Sequence, residues 1–376
     1  EEVAKPYAER TLLAKDAAPI VIPEITLEVK LDDLLNRRLF MEHLRISEPK
    51  VVEVRDAQGK SSLEGLFKKP GSAEAEEANA KTSASQPPVQ SGASEKSDPF
   101  LAFALHAASL DKGQFEMRDG TTVIRINGLN INATGIDVDA NDLANHNRIN
   151  VTLSAQVDVQ GIARIEGTKR PAELVHLLLA GQGEIAPYHP VSREWKPYTK
   201  LKLTLAKGSV LGGHQTIGDA AGKDLRKLQE YGVDLGPVRI GGPLQEDAVV
   251  IGDFSDDRFI TRVQTRFLFP EYEVSIEPKS WVNAAKDRHE IELRLSCGPE
   301  LQTRLTKGIA EAKLGDSIAR GLTKALSDDK GRLTFDIESG GALSDPKVKP
   351  KTDRVLKNLM RGEGLGDLLQ GLLKKL

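Results

Sequence analysis

The feature that most constrains this chain is an alternation of apolar and polar residues that keeps its phase from position 149 to position 165. The odd positions are Ile149, Val151, Leu153, Ala155, Val157, Val159, Gly161, Ala163 and Ile165. The even positions are polar except for Ile162. A two-residue period predicts a β-strand with one apolar face. At about 3.4 Å per residue this strand would span roughly 58 Å. A hairpin near Gln160 is the alternative, but the phase does not change there.

Similar alternation recurs along the chain and predicts a mainly β fold. Residues 25–31, 44–54 and 128–139 are extended patterns, with a break at Pro49 and a phase shift at Gly135. Strands with one face exposed to solvent are typical of antiparallel sheets, so the sequence predicts an antiparallel sheet. Further apolar sets are Leu201, Leu203 and Leu205; Phe259, Val263, Phe267 and Phe269; Ile291, Leu293, Leu295 and Cys297; and Leu333, Phe335 and Ile337.

Helical spacing is confined to a few segments, which are residues 1–15, 172–180, 222–231, 317–326 and the tail from Asp353. Residues 68–99 have almost no large apolar side chains and predict a disordered linker or a long loop. The predicted organisation is an N-terminal helix with the first strands (1–67), this linker (68–99), a main β body (100–346) and an amphipathic helical tail (347–376).

Composition excludes several classes of function. The 52 basic and 55 acidic residues leave a net charge of −3, so no nucleic-acid partner is expected. The single cysteine, Cys297, excludes an intramolecular disulfide and a cysteine-based zinc site. It is in phase with Leu295 and is interpreted as an inert apolar-face thiol. The sequence contains no run of about 18 consecutive apolar residues, so it does not predict a membrane-spanning helix.

No motif supports catalysis, a metal site or a cofactor. Gly59-Lys60-Ser61 lacks the further glycine of a phosphate loop and is interpreted as a turn. Gly181 to Ala186 matches the loose dinucleotide fingerprint, but a helical pattern precedes it and Pro187 follows. Asp137, Asp139 and Asn141 begin like a calcium loop without its later glycine and glutamate. The seven histidines lack metal-ligand spacing, and no GxSxG motif is present.

Two segments are candidates for contact with a membrane or a protein partner. An aromatic loop holds Tyr188, Trp195 and Tyr198, and a loop packed by its own side chains is the alternative interpretation. The tail combines basic and leucine-rich positions, which favours an anionic membrane surface or a partner groove, with a capping helix as the alternative. The tail residues assigned to this contact are Lys349, Lys351, Arg354, Lys357, Leu368, Leu369 and Leu372.

Three passages resemble the AsmA family of bridge-like lipid carriers. The first has Leu34, Leu35, Arg37 and Leu39, then Leu44, Ile46, Pro49, Val51, Val52, Val54 and Arg55, then Gly59 and Leu63. The second is the LDKGQFEMRD run at 110–119. The third is GALSDPK at 341–347, followed by the leucine-rich tail. The long linker and the modest size depart from the largest members of that family.

The resemblance implies a long, twisted, taco-shaped antiparallel sheet with an apolar groove and short capping helices. It also implies a periplasmic protein, held to the inner membrane by a segment ahead of Glu1, that binds or conducts phospholipid or glycolipid between membranes. The family carries no catalytic residues. The expected groove lining is Ile149, Val151, Leu153, Ala155, Val157, Val159, Leu201, Leu203, Leu205, Ile291, Leu293, Leu295, Leu333, Phe335 and Ile337.

Alternation by itself leaves a second architecture open, in which the apolar faces close on each other as a sandwich core. A non-enzymatic scaffold that assembles with envelope protein partners would then be the function. An open groove predicts an extractable lipid, whereas a closed core predicts none.

Overall fold

The structure is a computed structural model that describes residues 18–30, 38–63, 102–139, 142–165, 168–217, 229, 232–283, 285–312, 316–342 and 346–351. These residues form mainly β-strands with two short helices, and most strand pairs are antiparallel, which confirms the predicted fold class. The chain divides into two compact units, Glu1–Asn130 and Ile131–Leu376.

The strands of the first unit are β1 (Ile20–Val21), β2 (Glu24–Val29), β3 (Arg38–Ser47), β4 (Lys50–Arg55), β5 (Ala102–Asp119) and the start of β6 (Thr122–Val138). β1 pairs antiparallel with β4, and β2 pairs antiparallel with β3. β5 instead runs parallel to both β3 and β4, which corrects the expectation of a purely antiparallel sheet. Parallel neighbours need a long crossover connection, and the long connection between β4 and β5 supplies one.

The predicted domain boundary differs from the division in the structure. Residues 68–99 were expected to separate two parts of the chain, but the strands on either side of them pair with each other inside the first unit. Residues 68–99 themselves lie outside the described residues.

β3 and β4 follow each other in the chain and both pair with β5. They are separated by a break at Glu48 and Pro49, as Pro49 predicted. Glu48 and, on the opposing strand, Lys112 both have positive φ angles, 50° and 53°. Pairing continues across the break because the Glu48 N–H donates to the Asp111 carbonyl and the Gln114 N–H donates to the Pro49 carbonyl, each at 2.8 Å. The two distorted residues therefore keep β3 and β4 in register with a single β5.

The second unit is dominated by β7 (Asn147–Ile165, 19 residues) and β8 (Thr168–Tyr188, 21 residues), which form a long antiparallel hairpin. The strand predicted from the alternation at 149–165 is confirmed. The helix predicted at 172–180 is wrong, because these residues belong to β8. Their leucines and alanines are good helix formers, but β7, β9 and β10 all bond to this segment, and tertiary pairing overrides propensity.

The remaining strands are β9 (Trp195–Leu205), β10 (Val210–Thr216), β11 (Arg239–Pro243), β12 (Ala248–Ser255), β13 (Arg258–Thr261), β14 (Thr265–Leu268), β15 (Tyr272–Ile276), β16 (Trp281–Asn283), β17 (Arg288–Cys297), β18 (Thr334–Gly341) and β19 (Pro346–Pro350). Antiparallel pairs connect them in the order β7, β8, β9, β12, β13, β16, β17, β18, β19. β10 pairs with β8 beside β9, and β15 pairs with β17 beside β16.

Two helices, α1 (Pro299–Glu311) and α2 (Asp316–Leu326), lie between β17 and β18 in the chain. The helix predicted at 317–326 is thus confirmed. Pro299 occupies the first turn of α1, where its missing N–H costs nothing. Leu301, Leu305 and Ile309, spaced at i, i+4 and i+8, are at most 1% exposed and pack into the main core.

Several predicted segments lie wholly or mostly outside the described residues: 1–15, 222–231 except Gln229, and the tail from 352 onward. The predicted helical tail does not begin at Lys347, because β19 continues the sheet through Pro350. Within the described part of the chain, neither helix has the length and apolar character needed to cross a bilayer.

Candidate functional site

Backbone pairing places the residues predicted to line a groove on one face of the second unit's sheet. Leu153 lies opposite Gly181, Gly181 opposite Leu203, and Leu203 opposite Val250. Directly paired residues in an antiparallel sheet project to the same side. The predicted residues of β7 and β9 therefore share one surface with Val250 of β12.

The same surface continues to β17 and β18. One row runs across the sheet through Ile149, Ile185, Thr199, Phe254, Phe259, Val282 and His289. His289 is in phase with Leu293 and Leu295, which pair with Ile337 and Phe335. We call this surface the apolar face; it holds Ile149, Val151, Leu153, Ala155, Val157, Val159, Leu201, Leu203, Leu205, Ile291, Leu293, Leu295, Leu333, Phe335 and Ile337.

Two glycines of β8 make room for larger side chains on the apolar face. A Cβ at Gly181 would lie 2.9 Å from the Leu153 Cγ and from the Leu203 Cδ2. The side chains of these two leucines therefore occupy the space that a side chain at position 181 would need. A Cβ at Gly183 would lie 2.5 Å from the Lys200 carbonyl oxygen. The glycines that mimicked a dinucleotide fingerprint are therefore packing positions in mid-strand, where no strand-to-helix turn exists to bind a phosphate.

The apolar face has an open part and a covered part. Ile149, Val151, Leu153 and Ala155 are half-buried. Leu205, Leu295 and Leu333 are 8%, 4% and 1% exposed and belong to one core cluster with the residues of α1 and α2. Phe335 and Ile337 pack against that cluster. The helices thus close the face at one end, and the predicted lining residues divide between an open stretch and a closed core.

Cys297 lies at the covered end of the apolar face and is 3% exposed. Burial raises the pKa of its thiol to about 12. The thiol is therefore protonated at neutral pH, and a protonated thiol is a poor nucleophile.

The opposite face of the sheet carries ion pairs. Arg262 binds Asp253, whose side chain also accepts a hydrogen bond from the Tyr198 hydroxyl at 2.7 Å. Burial by itself raises the pKa of Asp253, but the hydrogen bonds from Arg262 and Tyr198 outweigh it, and the net pKa is lowered. This three-residue network ties β9, β12 and the residue that follows β13 together on the polar side.

Replacing Asp253 with asparagine is expected to lower the free energy of unfolding by roughly 1–3 kcal/mol at pH 7. The lowered pKa means that Asp253 stabilises the fold above its ordinary pKa of 3.8, and that this stabilisation disappears as the pH falls through the lower folded value. The difference between wild type and Asp253→Asn should therefore shrink in urea unfolding curves recorded below pH 3.8. Asp257→Asn, in an exposed turn, is the control. An undiminished difference in acid would contradict the assignment.

Sequence reasoning missed a cluster formed by Asp158, Glu173 and His176. The His176 Nδ1 lies 2.6 Å from the Asp158 Oδ1 and 3.7 Å from the Glu173 Oε1. A bulge in the β7–β8 register, between Val159 and Gln160, turns Glu173 to the same side as the other two. These three are the described side chains that could hold a metal ion together. No local spacing could have revealed them, because Asp158 comes from the other strand.

The aromatic loop is the tip of the β8–β9 hairpin. Tyr188 and Trp195 pack edge to face with ring centroids 5.4 Å apart. Trp195 is nevertheless 68% exposed, and Val191 is 85% exposed. A cavity of about 580 Å³ lies at its base, lined by residues that include Leu143, Tyr188 and Tyr198. Both interpretations of the loop thus have a structural basis, since its rings pack on each other and its apolar tip faces solvent.

The structure places two of the predicted membrane or partner contacts. Lys349 lies on β19 opposite Glu338 and is exposed. The Lys351 Nζ lies 2.7 Å from a Glu292 carboxylate oxygen, and this hydrogen bond raises the pKa of Lys351. Lys351 is therefore engaged within the fold. The remaining contacts, Arg354, Lys357, Leu368, Leu369 and Leu372, lie outside the described residues.

The weaker motifs occupy turns and loops. Gly59 has φ +79°, and the Asp56 carboxylate accepts hydrogen bonds from the backbone N–H groups of Gln58 and Lys60. A turn is present, but it spans Asp56–Gly59, and Ser61 forms an antiparallel bridge with Arg55. The N–H groups of this turn already have an acceptor. In the segment that mimics a calcium loop, the Asp137 carboxylate lies 2.8 Å from the His146 Nδ1. Asn141 lies outside the described residues.

Comparison of the chain with protein-family models, with curated proteins and with solved structures found no match.

Proposed function

We propose that this protein binds acyl-chain lipids on the open part of its apolar face and does not catalyse a reaction. The observation that carries the proposal is that directly paired residues make the apolar face continuous across β7, β8, β9 and β12. The open part of this face has half-buried aliphatic side chains and no charged residue. The resemblance of three passages to AsmA-like lipid carriers supports the same function.

The physical benefit of such a surface is large. Exposing one methylene group to water costs about 0.8 kcal/mol, so a chain of about 16 carbons meets a barrier of roughly 13 kcal/mol outside a membrane. An apolar strip removes most of that barrier while the polar headgroup stays hydrated. Continuity matters because one charged side chain in the strip would restore part of the barrier.

The cellular role that we propose follows the family resemblance. The protein would act in the periplasm, anchored to the inner membrane, and would bind or conduct phospholipid or glycolipid between membranes. Lys349 on β19 and the basic residues that follow this strand in the chain, such as Arg354, would contact a membrane surface or an envelope protein partner.

The decisive test is mass spectrometry of an organic extract from protein purified without detergent. We expect phospholipid or glycolipid in near-stoichiometric amount, because an apolar strip of this size is costly to leave in water. Mock-purified material from cells without the protein is the control for carried-over membrane. A lipid-free extract from well-folded protein would remove the support for this function.

A second candidate is a scaffold in an envelope complex. The exposed Val191 and Trp195 at the hairpin tip favour it, because exposed apolar side chains at a loop tip are typical of protein contacts. The burial of Leu205, Leu295 and Leu333 beneath the helices also agrees with a face that closes as a core. An organic extract of well-folded protein that contains no lipid would favour this scaffold function over lipid binding.

A further inference from the structure

The polar face of the β7–β8 hairpin carries one imidazole and two carboxylates in a single group. The His176 Nδ1 lies 2.6 Å from the Asp158 Oδ1 and 3.7 Å from the Glu173 Oε1. One ligand atom of each residue lies within 4.8 Å of the other two. In a tetrahedral site with bonds of about 2.1 Å, neighbouring ligand atoms are about 3.4 Å apart. The two measured distances fall on either side of that value, so movements of about 1 Å would let all three side chains reach one metal ion.

The backbone positions the three residues from both neighbours of β8. Asp158 pairs directly with His176, so their side chains project to the same face. The β7–β8 register then skips Leu174, and this bulge turns Glu173 to that face as well. On the other side of β8, the Nε2 of His214 in β10 donates to the Glu173 carbonyl oxygen at 2.6 Å. The bulge that brings Glu173 to the group is therefore fixed by a contact from a third strand.

Asp158 is oriented by a side chain outside the group. The Gln156 Nε2 donates to the Asp158 Oδ2 at 2.8 Å, and the Oδ1 faces His176. Outer hydrogen bonds of this kind fix the orientation of metal-binding carboxylates, and their loss typically lowers metal affinity about 10–100-fold. The two carboxylates also supply two negative charges, which one divalent cation neutralises.

The choice of ion follows from the donor atoms. An imidazole nitrogen with two carboxylate oxygens is a ligand set that Zn²⁺ accepts, whereas Ca²⁺ and Mg²⁺ prefer oxygen ligands alone. Among common divalent metals, Zn²⁺ binds such sites more tightly than Mn²⁺, Fe²⁺ or Co²⁺. The side chains of Asp158 and His176 are 17% and 29% exposed and that of Glu173 is 51% exposed, so an ion can enter past Glu173.

We propose that Asp158, Glu173 and His176 bind one Zn²⁺ ion, which cross-links β7 to β8 at the bulge. The three ligands come together only when the hairpin is paired, so binding stabilises the folded state. This site lies on the polar face and does not depend on lipid binding at the apolar face. The two proposals therefore stand or fail separately.

Isothermal titration calorimetry of the full chain, stripped of metal with a chelator, tests the site with Zn²⁺ as the probe. We expect one Zn²⁺ per chain at this site and a higher unfolding temperature when Zn²⁺ is present. A large excess of Ca²⁺ should not displace the ion, because the imidazole nitrogen does not suit Ca²⁺. Absence of Zn²⁺ binding, or effective competition by Ca²⁺, would overturn the proposal.

Variants of two ligands show whether the ion binds at this group. Glu173→Ala and His176→Gln should each weaken Zn²⁺ at least about 100-fold, which is the upper end of the loss expected for an outer-shell residue. Glu173→Ala leaves the contact between Asp158 and His176 intact, so this variant should remain folded even if His176→Gln does not. Gln156→Leu should weaken Zn²⁺ about tenfold through the orientation of Asp158.

The matched control is His146→Gln. The His146 Nδ1 lies 2.8 Å from the Asp137 Oδ1, so this histidine also contacts a carboxylate on the surface but lies outside the proposed site. Its replacement should leave Zn²⁺ affinity unchanged. Unchanged affinity in Glu173→Ala and His176→Gln, or an equal loss in His146→Gln, would show that the ion binds elsewhere and would overturn the site.

Discussion

Leu153→Asp should weaken fatty-acid binding at least about 100-fold while the sheet stays folded. Leu153 leans over Gly181 toward Leu203 in the third row of the open apolar face. A carboxylate there must lose water when an acyl chain covers it, and a penalty of about 3 kcal/mol corresponds to the stated factor. In the free protein the position is half-buried, so the new carboxylate can remain hydrated. Displacement of a fluorescent fatty acid measures the effect.

Thr152→Asp is the matched control, because Thr152 is the neighbouring residue on the same strand, is exposed, and projects to the polar face opposite Gln182. It adds the same charge and should leave affinity within about twofold. Leu153→Asn separates charge from lost apolar area and should lie between the two. Equal affinities in Leu153→Asp and wild type, with unchanged circular dichroism, would show that acyl chains do not contact this face.

Gly232→Ala should lower the free energy of unfolding by roughly 2–5 kcal/mol. Gly232 has φ +77°, a conformation that costs a residue with a Cβ about 1–2 kcal/mol. The added methyl group would also lie 2.1 Å from the Gly308 carbonyl oxygen, and overpacking of this kind costs about 1–3 kcal/mol. Urea unfolding followed by circular dichroism measures the change.

Gly331 provides a control with the same backbone angle. It also has φ +77°, but nothing lies within 4 Å of the position of its Cβ. Gly331→Ala should therefore show the conformational cost alone. If the two variants were equally destabilised, the close packing of residues 232–238 against α1 would not contribute to stability, and the covered end of the apolar face would be less rigid than its geometry indicates.

The strands that sequence predicted well are those whose pattern is local. The period of two at 149–165 needs no information from elsewhere in the chain, and β7 follows it from end to end. The proline at 49 and the phase shift at Gly135, whose φ is +55°, are also local signals. Each of these features depends on backbone preferences of a few adjacent residues.

The features that sequence reasoning missed depend on distant partners. Residues 172–180 have helical composition, and only their pairing with β7, β9 and β10 makes them a strand. The bulge in the β7–β8 register places Glu173 beside Asp158 and His176, and no residue type in the sequence predicts this bulge. The division of the apolar face into open and covered parts depends on where α1 packs, and the alternation of leucines is the same in both parts.

The parallel pairing of β5 gives the connection between β4 and β5 a topological role. The chain leaves β4 at Arg55, level with Asp119, and enters β5 at Ala102, level with Arg38. It must therefore travel back along the whole of β5, whose 18 residues span about 58 Å. An extended chain covers that distance with roughly 17 residues. The connection between Arg55 and Ala102 is longer than this minimum, so the parallel pairing of β5 sets a lower limit on its length and requires no particular sequence in it.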